Sequence, residues 1–285
     1  MSFIVITGAT GRLGGRVAAR LASQGVEQRL VSRNASQGVE QRHASRLDHA
    51  TAVSADYGDR AAMRRALDGA STVLFVSASE SADRLERHRT FVDAARDTGV
   101  THLVYISFYG AAPDATFTLA RDHWATEQHI RDSGLAFTFL RDNLYADFLP
   151  GMVGDDGVIR GPAGQGRVAA VAQDDIADAV VNVLLGVREH EGVTYDLTGP
   201  QALTLDEVAG TLSEATGRAI VYRDETVEEA YASRKIYGAP EWQVEAWVST
   251  YLAVAAGELE GVSDAIPALT GHPATSLEEL LARGS

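Results

Sequence analysis

The stretch "TGATGRLGGR", residues 7–16, decides the fold class of this chain. Its glycines Gly8, Gly11 and Gly14 have the spacing G-x-x-G-x-x-G. The apolar run "FIVIT" precedes them, and a segment predicted to be a helix from about 12 to 23 follows. A strand, a glycine-rich turn and a helix in this order are typical of a dinucleotide-binding βαβ unit. The pattern favours a bound nucleotide over a tight βα turn without a ligand.

Each part of this turn has an expected role. Gly8 permits the tight turn, Gly11 lets the backbone approach a pyrophosphate, and Gly14 lets the helix pack closely. The backbone N–H groups of Arg12 and Leu13 are expected to face the phosphate oxygens at the positive end of the helix.

The first half of the chain alternates short apolar runs with helical patterns, which predicts a doubly wound parallel sheet of the Rossmann type. Later strands are predicted at 29–32, 51–55, 71–77, 101–107 and 136–141, and helices at 59–68, 82–97 and 120–133. We expect a nucleotide-binding domain over 1–150 and a smaller C-terminal α+β lobe on the substrate side over 151–285. The lobe is predicted to contain a helix at 174–186 that is a candidate for packing back on the sheet, a strand at 193–199 and a helix at 204–217. Thr204 and Glu207 form a capping box for the last helix.

Composition excludes several functions. The chain has 285 residues and no cysteine, so disulfides, thiolate nucleophiles and cysteine-based metal sites are excluded. Its formal charge of −14 disfavours direct binding to nucleic acid, because phosphate backbones attract cations. No apolar run approaches the length of a membrane span, and no signal peptide is evident, so we expect a cytoplasmic protein without a membrane partner. Lys235 is the single lysine, which leaves almost no place for a catalytic lysine.

Arg33 indicates which dinucleotide is bound. It lies 19 residues after Gly14, at the end of the second predicted strand, where an NAD enzyme usually carries an acidic residue. A guanidinium group suits a 2′-phosphate, so NADP(H) is favoured over NAD(H); the alternative is a solvated surface arginine. Asp56 and Tyr57 end the third strand and are placed to contact the adenine, or else form a turn and helix cap.

The heptapeptide "SQGVEQR" occurs at 23–29 and again at 36–42. Two copies are too few for a repeat architecture, and a period of 13 residues is too short for one. The segment is therefore interpreted as a local duplication or an artefact, without a function. It leaves the path of the chain near Arg33 open.

Four stretches of the chain carry a family resemblance: "ITGATGRLGG" (6–15), "ADYGD" (55–59), "LARDHWATEQHIRDSGLAFTFLRDNLYADF" (119–148) and "LTGHPATSLEELL" (269–281). They resemble the NmrA-like atypical short-chain dehydrogenase/reductases, in particular the NAD(P)H:quinone oxidoreductase branch that also contains triphenylmethane dye reductases. The resemblance implies NADPH in a crevice of a Rossmann domain with a smaller C-terminal lobe.

The glycine motif, Arg33 and the resemblance together give a set of candidate site residues. The candidate cofactor-binding residues are Gly8, Thr10, Gly11, Arg12, Leu13, Gly14, Arg33, Asp56, Tyr57, Ser77, Ala78, Ser107, His123, Arg141 and Asn143. Ser107 and the segment "RDNLY" (141–145) are implied to surround the nicotinamide. His123 and Tyr145 are the candidate catalytic residues.

One departure from ordinary short-chain reductases bears on the reaction. Leu119 and His123 stand where a Tyr-x-x-x-Lys pair is usual. Reduction of an isolated ketone needs a positioned acid, which leucine cannot supply, whereas a quinone or a cationic dye stabilises its own charge after hydride addition. His123 is then a clamp on the nicotinamide ribose or an auxiliary proton donor, or it has no role. Glu127 orients this imidazole or merely solvates the helix.

Two functions remain open. The first is an NADPH-dependent reductase of a quinone-like acceptor, for which Phe108, Tyr109, Tyr145 and Phe148 would form a flat aromatic slot unless they are core residues. The second is a cofactor-sensing regulator that binds NAD(P) and acts through a protein partner. No metal-binding spacing and no G-x-S-x-G nucleophile turn is present. The sequence does not decide between a monomer and a homodimer.

Overall fold

A computed structural model describes residues 3–33 and 47–283 of the chain. Its Cα positions group into two compact units. The first unit comprises Met1–Ser107, Trp124–Arg141 and Ile176–Tyr195, and the second comprises Phe108–His123, Asp142–Asp175 and Asp196–Ser285. The second copy of "SQGVEQR" lies outside the described residues.

A seven-stranded parallel sheet of the Rossmann type dominates the fold, as predicted, with the order β3-β2-β1-β4-β5-β6-β9. Its strands are β1 (Ile4–Thr7), β2 (Gln28–Ser32), β3 (Ala50–Ser54), β4 (Thr72–Val76), β5 (His102–Phe108), β6 (Ala136–Asp142) and β9 (Thr194–Leu197). The order reverses at β1 and β4, which places a topological switch point beside the glycine-rich turn. Strand β5 is buried along its whole length, as expected where helices cover both faces of a parallel sheet.

Helices alternate with these strands and continue through the C-terminal half. They are α1 (Arg12–Ser23), α2 (Arg60–Leu67), α3 (Arg84–Asp97), α4 (Thr118–Ser133), α5 (Gln173–Leu185), α6 (Leu205–Thr216), α7 (Val227–Arg234), α8 (Glu241–Ala255), α9 (Ala265–Thr270) and α10 (Leu277–Arg283). Helix α1 has the predicted bounds, and it buries Leu13, Val17 and Leu21 on one face.

The first unit has an aromatic core. The rings of Phe75 and Phe91 stack with their centroids 4.1 Å apart, and the ring of Tyr105 lies 4.9 Å from that of Phe75. All three side chains are fully buried, and each such burial contributes roughly 1.5–3 kcal/mol. The packing fixes the strands β4 and β5, whose carboxyl ends approach the candidate site.

The second unit contains two small sheets with helices packed on them. Strands β8 (Arg167–Val168) and β10 (Leu203–Thr204) pair antiparallel, and β7 (Val158–Gly161) and β11 (Val221–Asp224) pair parallel. The predicted capping box of α6 is present: Thr204 accepts from the Glu207 N–H, and the Glu207 carboxylate accepts from the Thr204 N–H. Among the described residues, no helix is both long and apolar enough to span a membrane.

Candidate functional site

The turn between β1 and α1 needs glycine at two positions. Gly8 has φ +61°, in the left-handed region, and its carbonyl accepts a 2.8 Å hydrogen bond from the Gly11 N–H. A Cβ on Gly14 would lie 2.4 Å from the Gly8 oxygen and 2.7 Å from the Gly8 carbonyl carbon. Because helix and turn approach so closely, a side chain at position 14 would force one of them to shift.

The N-terminus of α1 is open to an anion. The helix begins at Arg12, Gly11 precedes it, and within the described part of the chain no side chain caps it. Its first turn carries no acidic residue. The first N–H groups of a helix lack partners inside the helix and carry a partial positive charge, so they can donate to phosphate oxygens.

A cavity of about 340 Å³ lies beside this turn, at the carboxyl ends of the first strands. It brings together eight predicted site residues: Gly8, Thr10, Gly11, Arg33, Asp56, Tyr57, Ser77 and Ala78. Seven other predicted cofactor-binding residues do not line it, and neither does Tyr145; the seven are Arg12, Leu13, Gly14, Ser107, His123, Arg141 and Asn143. Eight of the eleven residues placed on the phosphate and adenosine side thus converge on one cavity of the first unit.

The sequence interpretation did not single out eight further lining residues. They are Val31, Ser32, Ala55, Val76, Ser79, Glu80, Ser81 and Arg87. Ser32 and the loop at 79–81 adjoin predicted residues, so their strand-end position was a usable signal. Arg87 lies on α3 and had no such signal, because only the packing of this helix brings it to the cavity.

Arg33, Asp56 and Tyr57 line the end of the cavity where the adenosine is expected. Arg33 is exposed, and its guanidinium donates to the Ser79 hydroxyl at 3.4 Å. Asp56 accepts from the Gly58 N–H at 2.8 Å and pairs with Arg87 at 2.9 Å, so it forms a strand-end turn. The cap of α2 is instead Asp59, which accepts from the Ala62 N–H.

The side chain of Tyr57 is held in place by β4 and α3. Its hydroxyl donates to the Val76 carbonyl at 2.7 Å, and its ring lies edge-on to Phe75 and Phe91. Burial raises the pKa of Tyr57, so the phenol keeps its proton at any physiological pH. The residue presents a fixed wall to the cavity.

The donor set of this cavity fits a phosphorylated dinucleotide. The Ser32 hydroxyl is buried beside Arg33 and has no hydrogen-bond partner among the residues that the structure describes. A buried hydroxyl without a partner is unfavourable, and a ligand oxygen at this place would satisfy it. The glycine cradle, the uncapped helix and the Ser32–Arg33 pair supply donors for phosphate and ribose oxygens.

Two buried side chains hold the loop after β4 against the cavity. Ala78 donates its N–H to His88 Nε2 at 2.9 Å, and its carbonyl accepts from Arg84 Nε at 3.0 Å. The other His88 nitrogen, Nδ1, lies 2.9 Å from the Thr126 hydroxyl. Because Nε2 accepts, the imidazole is neutral, and burial together with the Arg84 charge lowers the pKa of His88 well below its usual value.

Ser107 and Arg141 converge on one carboxylate. Glu127 is fully buried, and its two oxygens accept from Arg141 Nε at 2.8 Å and Arg141 Nη2 at 2.6 Å. The Ser107 hydroxyl donates to the same carboxylate at 2.6 Å. Because Glu127 is fully buried, the earlier alternative that it merely solvates the helix is wrong. The pair instead fixes the end of β6 to α4.

The second unit holds the remaining predicted residues. Helix α4 carries Leu119, half-buried, and His123, which is 6% exposed and whose ring centroid lies 6.0 Å from that of Phe108. The Asn143 amide donates to the Leu259 carbonyl at 3.0 Å and accepts from the Leu144 N–H at 2.8 Å. The side chain of Asn143 thus secures the backbone of this unit.

The aromatic residues after β5 and β6 differ in setting. Phe108 is 8% exposed and packs on Phe117 in the core of the second unit, with the ring centroids 4.9 Å apart, so the core alternative holds for it. Tyr145 and Phe148 meet edge to face at 5.2 Å, and Phe148 is 48% exposed. Of these three residues, Tyr145 and Phe148 keep accessible ring surface.

Tyr145 also contacts a buried acid. Its hydroxyl donates to Asp142 Oδ2 at 2.6 Å, and Asp142 is 4% exposed. Burial raises the pKa of Asp142 to about 8, against the opposing effect of the Tyr145 hydrogen bond. In the described ranges, 3–33 and 47–283, no group of three or more His, Asp or Glu residues is placed to hold a metal ion.

The fold and the cavity define a dinucleotide-binding α/β protein. The chain belongs to the NmrA-like family, whose model matches residues 1–265.

Relatives of known activity cover the chain almost end to end. It is 32% identical to quinone oxidoreductase 2 of Escherichia coli, with 97% of this chain and 96% of the relative aligned. It is 30% identical to the NAD(P)H azoreductase of Xenophilus azovorans, over 97% and 96%. The crystal structure of triphenylmethane reductase from Citrobacter sp. complexed with NADP(H) superposes with a TM-score of 0.86 at 32% identity, covering 99% of this chain and all of the other (100%).

Proposed function

We propose that this protein is an NADPH-dependent oxidoreductase that reduces a quinone or a similar conjugated acceptor. The observation that carries the proposal is the cavity lined by the glycine turn and Arg33, in a chain that has Leu119 and His123 at the Tyr-x-x-x-Lys positions. The first feature suits a phosphorylated dinucleotide, and the second suits an acceptor that needs no strong acid.

The cofactor would be held by backbone and side-chain donors. The turn at Gly8, Thr10 and Gly11 and the first N–H groups of α1, at Arg12 and Leu13, would bind the pyrophosphate. Arg33 would make a charge-assisted contact with the 2′-phosphate, and the adjacent Ser32 hydroxyl would donate beside it. When bound, NADPH supplies the hydride.

The nicotinamide side would be organised by residues at the carboxyl ends of β5 and β6. The fixed Ser107–Glu127–Arg141 cluster would give this edge of the sheet a rigid backbone. His123 would clamp the nicotinamide ribose, and Tyr145 would contact the acceptor. The His123 side chain is buried, which suits a positioning role better than exchange of protons with solvent.

The chain's own contribution to the rate would be mainly proximity. Face-to-face orientation of donor and acceptor can be worth ~7–11 kcal/mol in favourable cases. The hydroquinone anion spreads its charge over the ring, and a cationic dye becomes neutral on hydride addition. Leu119 is therefore no obstacle for such acceptors, whereas an isolated ketone would be reduced poorly.

The relatives support this acceptor class. Their names specify a quinone, an azo compound and triphenylmethane dyes, and all three are extended conjugated molecules. No two of these acceptors share a functional group, so the shared property is a conjugated π-system with a low-lying acceptor orbital. We extend that property, and no single substrate, to this chain.

A panel of acceptors tests the proposal. The purified protein would be mixed with NADPH and a naphthoquinone, an azo dye, a cationic triphenylmethane dye or an isolated ketone, and NADPH consumption would be followed by absorbance. We expect turnover with at least one conjugated acceptor and none with the ketone. Tight binding of NADPH without consumption by any acceptor would contradict the enzyme and indicate a cofactor sensor.

A further inference from the structure

Asp142 and Tyr145 form a hydrogen-bonded pair of acidic side chains at the carboxyl end of β6. Asp142 is the last residue of the strand, and Tyr145 follows three residues later. The Tyr145 hydroxyl donates to Asp142 Oδ2 at 2.6 Å, a short bond for neutral groups. Ligands of doubly wound sheets bind outside the carboxyl ends of the strands, so this is the edge where an acceptor would lie.

Within residues 3–33 and 47–283, no cation compensates the charge of Asp142. The Tyr109 N–H, from the residue after β5, donates to the Asp142 carbonyl, and burial together with Asp196 and Glu260 raises the pKa of the Tyr109 phenol. Among the described residues, no arginine, lysine or histidine forms an ion pair with Asp142. A carboxyl group in such a place holds its proton, and the pKa of Asp142 is raised to about 8 by burial.

We propose that Asp142 is the proton reserve of Tyr145, and that the pair protonates the reduced form of a neutral acceptor such as a quinone. The inference rests on the proposed function. Tyr145 is the catalytic residue, since it would touch the acceptor, and Asp142 acts through it.

The step balances without any group beyond the hydride donor and water. Hydride addition converts the quinone to a hydroquinone monoanion. With the acceptor bound, the Tyr145 hydroxyl turns to the product oxygen and the protonated Asp142 donates to the Tyr145 oxygen. The O–H bond of Tyr145 then breaks as a new O–H bond forms on the product. The O–H bond of Asp142 then breaks, and its proton restores the Tyr145 phenol. The Asp142 carboxylate afterwards takes a proton from water, and no electron beyond the hydride pair moves.

Two acceptors separate this role from a structural one. A quinone needs a proton after hydride addition, whereas a cationic triphenylmethane dye becomes neutral and needs none. Asp142→Asn keeps the shape and a hydrogen-bond acceptor for Tyr145 but removes the ionisable group. We expect this variant to reduce the quinone about tenfold more slowly and the dye at the wild-type rate. The exposed Asp132 provides the matched control, Asp132→Asn.

The pH profile is the second measurement. In the wild-type protein the rate of quinone reduction should fall as the pH rises through about 8, because Asp142 loses its proton there. The rate of dye reduction should show no such limb, and Asp142→Asn should abolish it for the quinone. Equal loss of both activities in Asp142→Asn would mean that the residue is only structural, and would overturn the proposal.

A titration without cofactor or acceptor keeps this test apart from that of the proposed function. The γ-carbon of aspartate would be labelled with ¹³C and followed by NMR in the wild type, Asp142→Asn and Tyr145→Phe. We expect one resonance that titrates near pH 8, is missing in Asp142→Asn and moves to higher pH in Tyr145→Phe, which loses the hydrogen bond to the carboxylate. A midpoint below about 6 would overturn the proton reserve even if the protein reduces quinones. If no acceptor is reduced, the proposed function fails while the titration still decides the state of Asp142.

Discussion

At the scale of single residues, the two buried carboxyl groups near the end of β6 are stabilised in opposite ways. Glu127 is fully buried within the guanidinium fork of Arg141 and also accepts from Ser107. Asp142 is 4% exposed, and its carboxyl group accepts from the phenol of Tyr145 and forms no ion pair with another described residue. A buried charge is tolerated when it is paired and hydrogen-bonded, and otherwise the group neutralises. The first arrangement provides rigidity, and the second provides a proton.

We propose that Arg33 sets the cofactor preference, because it is an exposed guanidinium beside the Ser32 hydroxyl at the end of β2. Arg33→Ala should raise the KM for NADPH by roughly 10- to 100-fold, the loss of one charge-assisted contact, and leave the KM for NADH nearly unchanged. Steady-state kinetics with both cofactors measures the ratio. The exposed Arg65, which does not line the cavity, gives the control Arg65→Ala. An unchanged ratio in Arg33→Ala would refute the assignment.

Two helical glycines should respond to alanine in opposite directions. At Gly14 the new Cβ would lie 2.4 Å from the Gly8 oxygen, so the turn must shift, and we expect a loss of about 1–3 kcal/mol in the free energy of unfolding and weaker NADPH binding. A Cβ on Gly210 would have no atom within 4 Å outside its own helix backbone. Gly210→Ala in α6 should therefore raise the free energy of unfolding by ~0.5–1 kcal/mol. Urea unfolding measures both. Similar changes at the two sites would contradict the close approach.

At the scale of elements, α3 connects the loop after β4, which lines the cavity, to α4. His88 accepts from the loop at Ala78 and contacts Thr126 on α4, one residue before Glu127. Arg84, one turn earlier on α3, holds the carbonyl of the same loop residue. The loop that lines the cavity and the helix that carries Glu127 are therefore fixed to one buried imidazole.

This imidazole should make the protein sensitive to acid. The pKa of folded His88 is well below that of the unfolded chain, so below about pH 6.5 the unfolded state binds a proton that the folded state rejects. The free energy of unfolding should consequently fall as the pH drops from 7.5 to 5. His88→Gln keeps one acceptor and one donor but cannot be protonated, so its loss of stability over this range should be smaller. Urea unfolding at both pH values checks this, and identical slopes would rule out His88 as the source.

The elements near the glycine turn were predictable because their signals are local. Helix α1 has the predicted bounds, since its apolar periodicity and the preceding glycines define both face and start. Strand β9 was grouped with the C-terminal lobe, yet it forms the seventh strand of the main sheet. Its position depends on pairing across a large separation in sequence, which a local pattern does not contain.

The same distinction separates the parts of the candidate site. Eight residues predicted for the phosphate and adenosine side line the cavity, because they lie in or beside the turns that follow strand ends, where a parallel sheet collects its ligand contacts. The supporting contacts of His88 and the ion pair of Glu127 were missed, since a helical residue gives no local sign of a partner on another helix or strand. Asn143 shows the converse: its motif suggested a cofactor contact, while its amide bonds the Leu259 backbone.

At the scale of the whole molecule, the net charge and the proposed ligand have the same sign. The chain carries a formal charge of −14, and a dinucleotide phosphate is also an anion. Charges farther away than a Debye length, about 8 Å at physiological ionic strength, are largely screened. Binding must therefore depend on the short-range donors of the glycine turn, the α1 N-terminus and Arg33. A long nucleic acid would instead meet the repulsion of the whole surface.

Thermal unfolding should separate these two kinds of phosphate ligand. A ligand that binds only the folded state at 100 times its Kd adds about 2.7 kcal/mol to the free energy of unfolding, so NADPH should raise Tm by several degrees. Duplex DNA at the same phosphate concentration should leave Tm unchanged, because the formal net charge of −14 repels a phosphate backbone. Gly14→Ala should lose the NADPH shift while its response to DNA stays nil, since the clash lies at the phosphate cradle. A rise in Tm with DNA, or none with NADPH, would show that local donors do not govern anion binding in this protein.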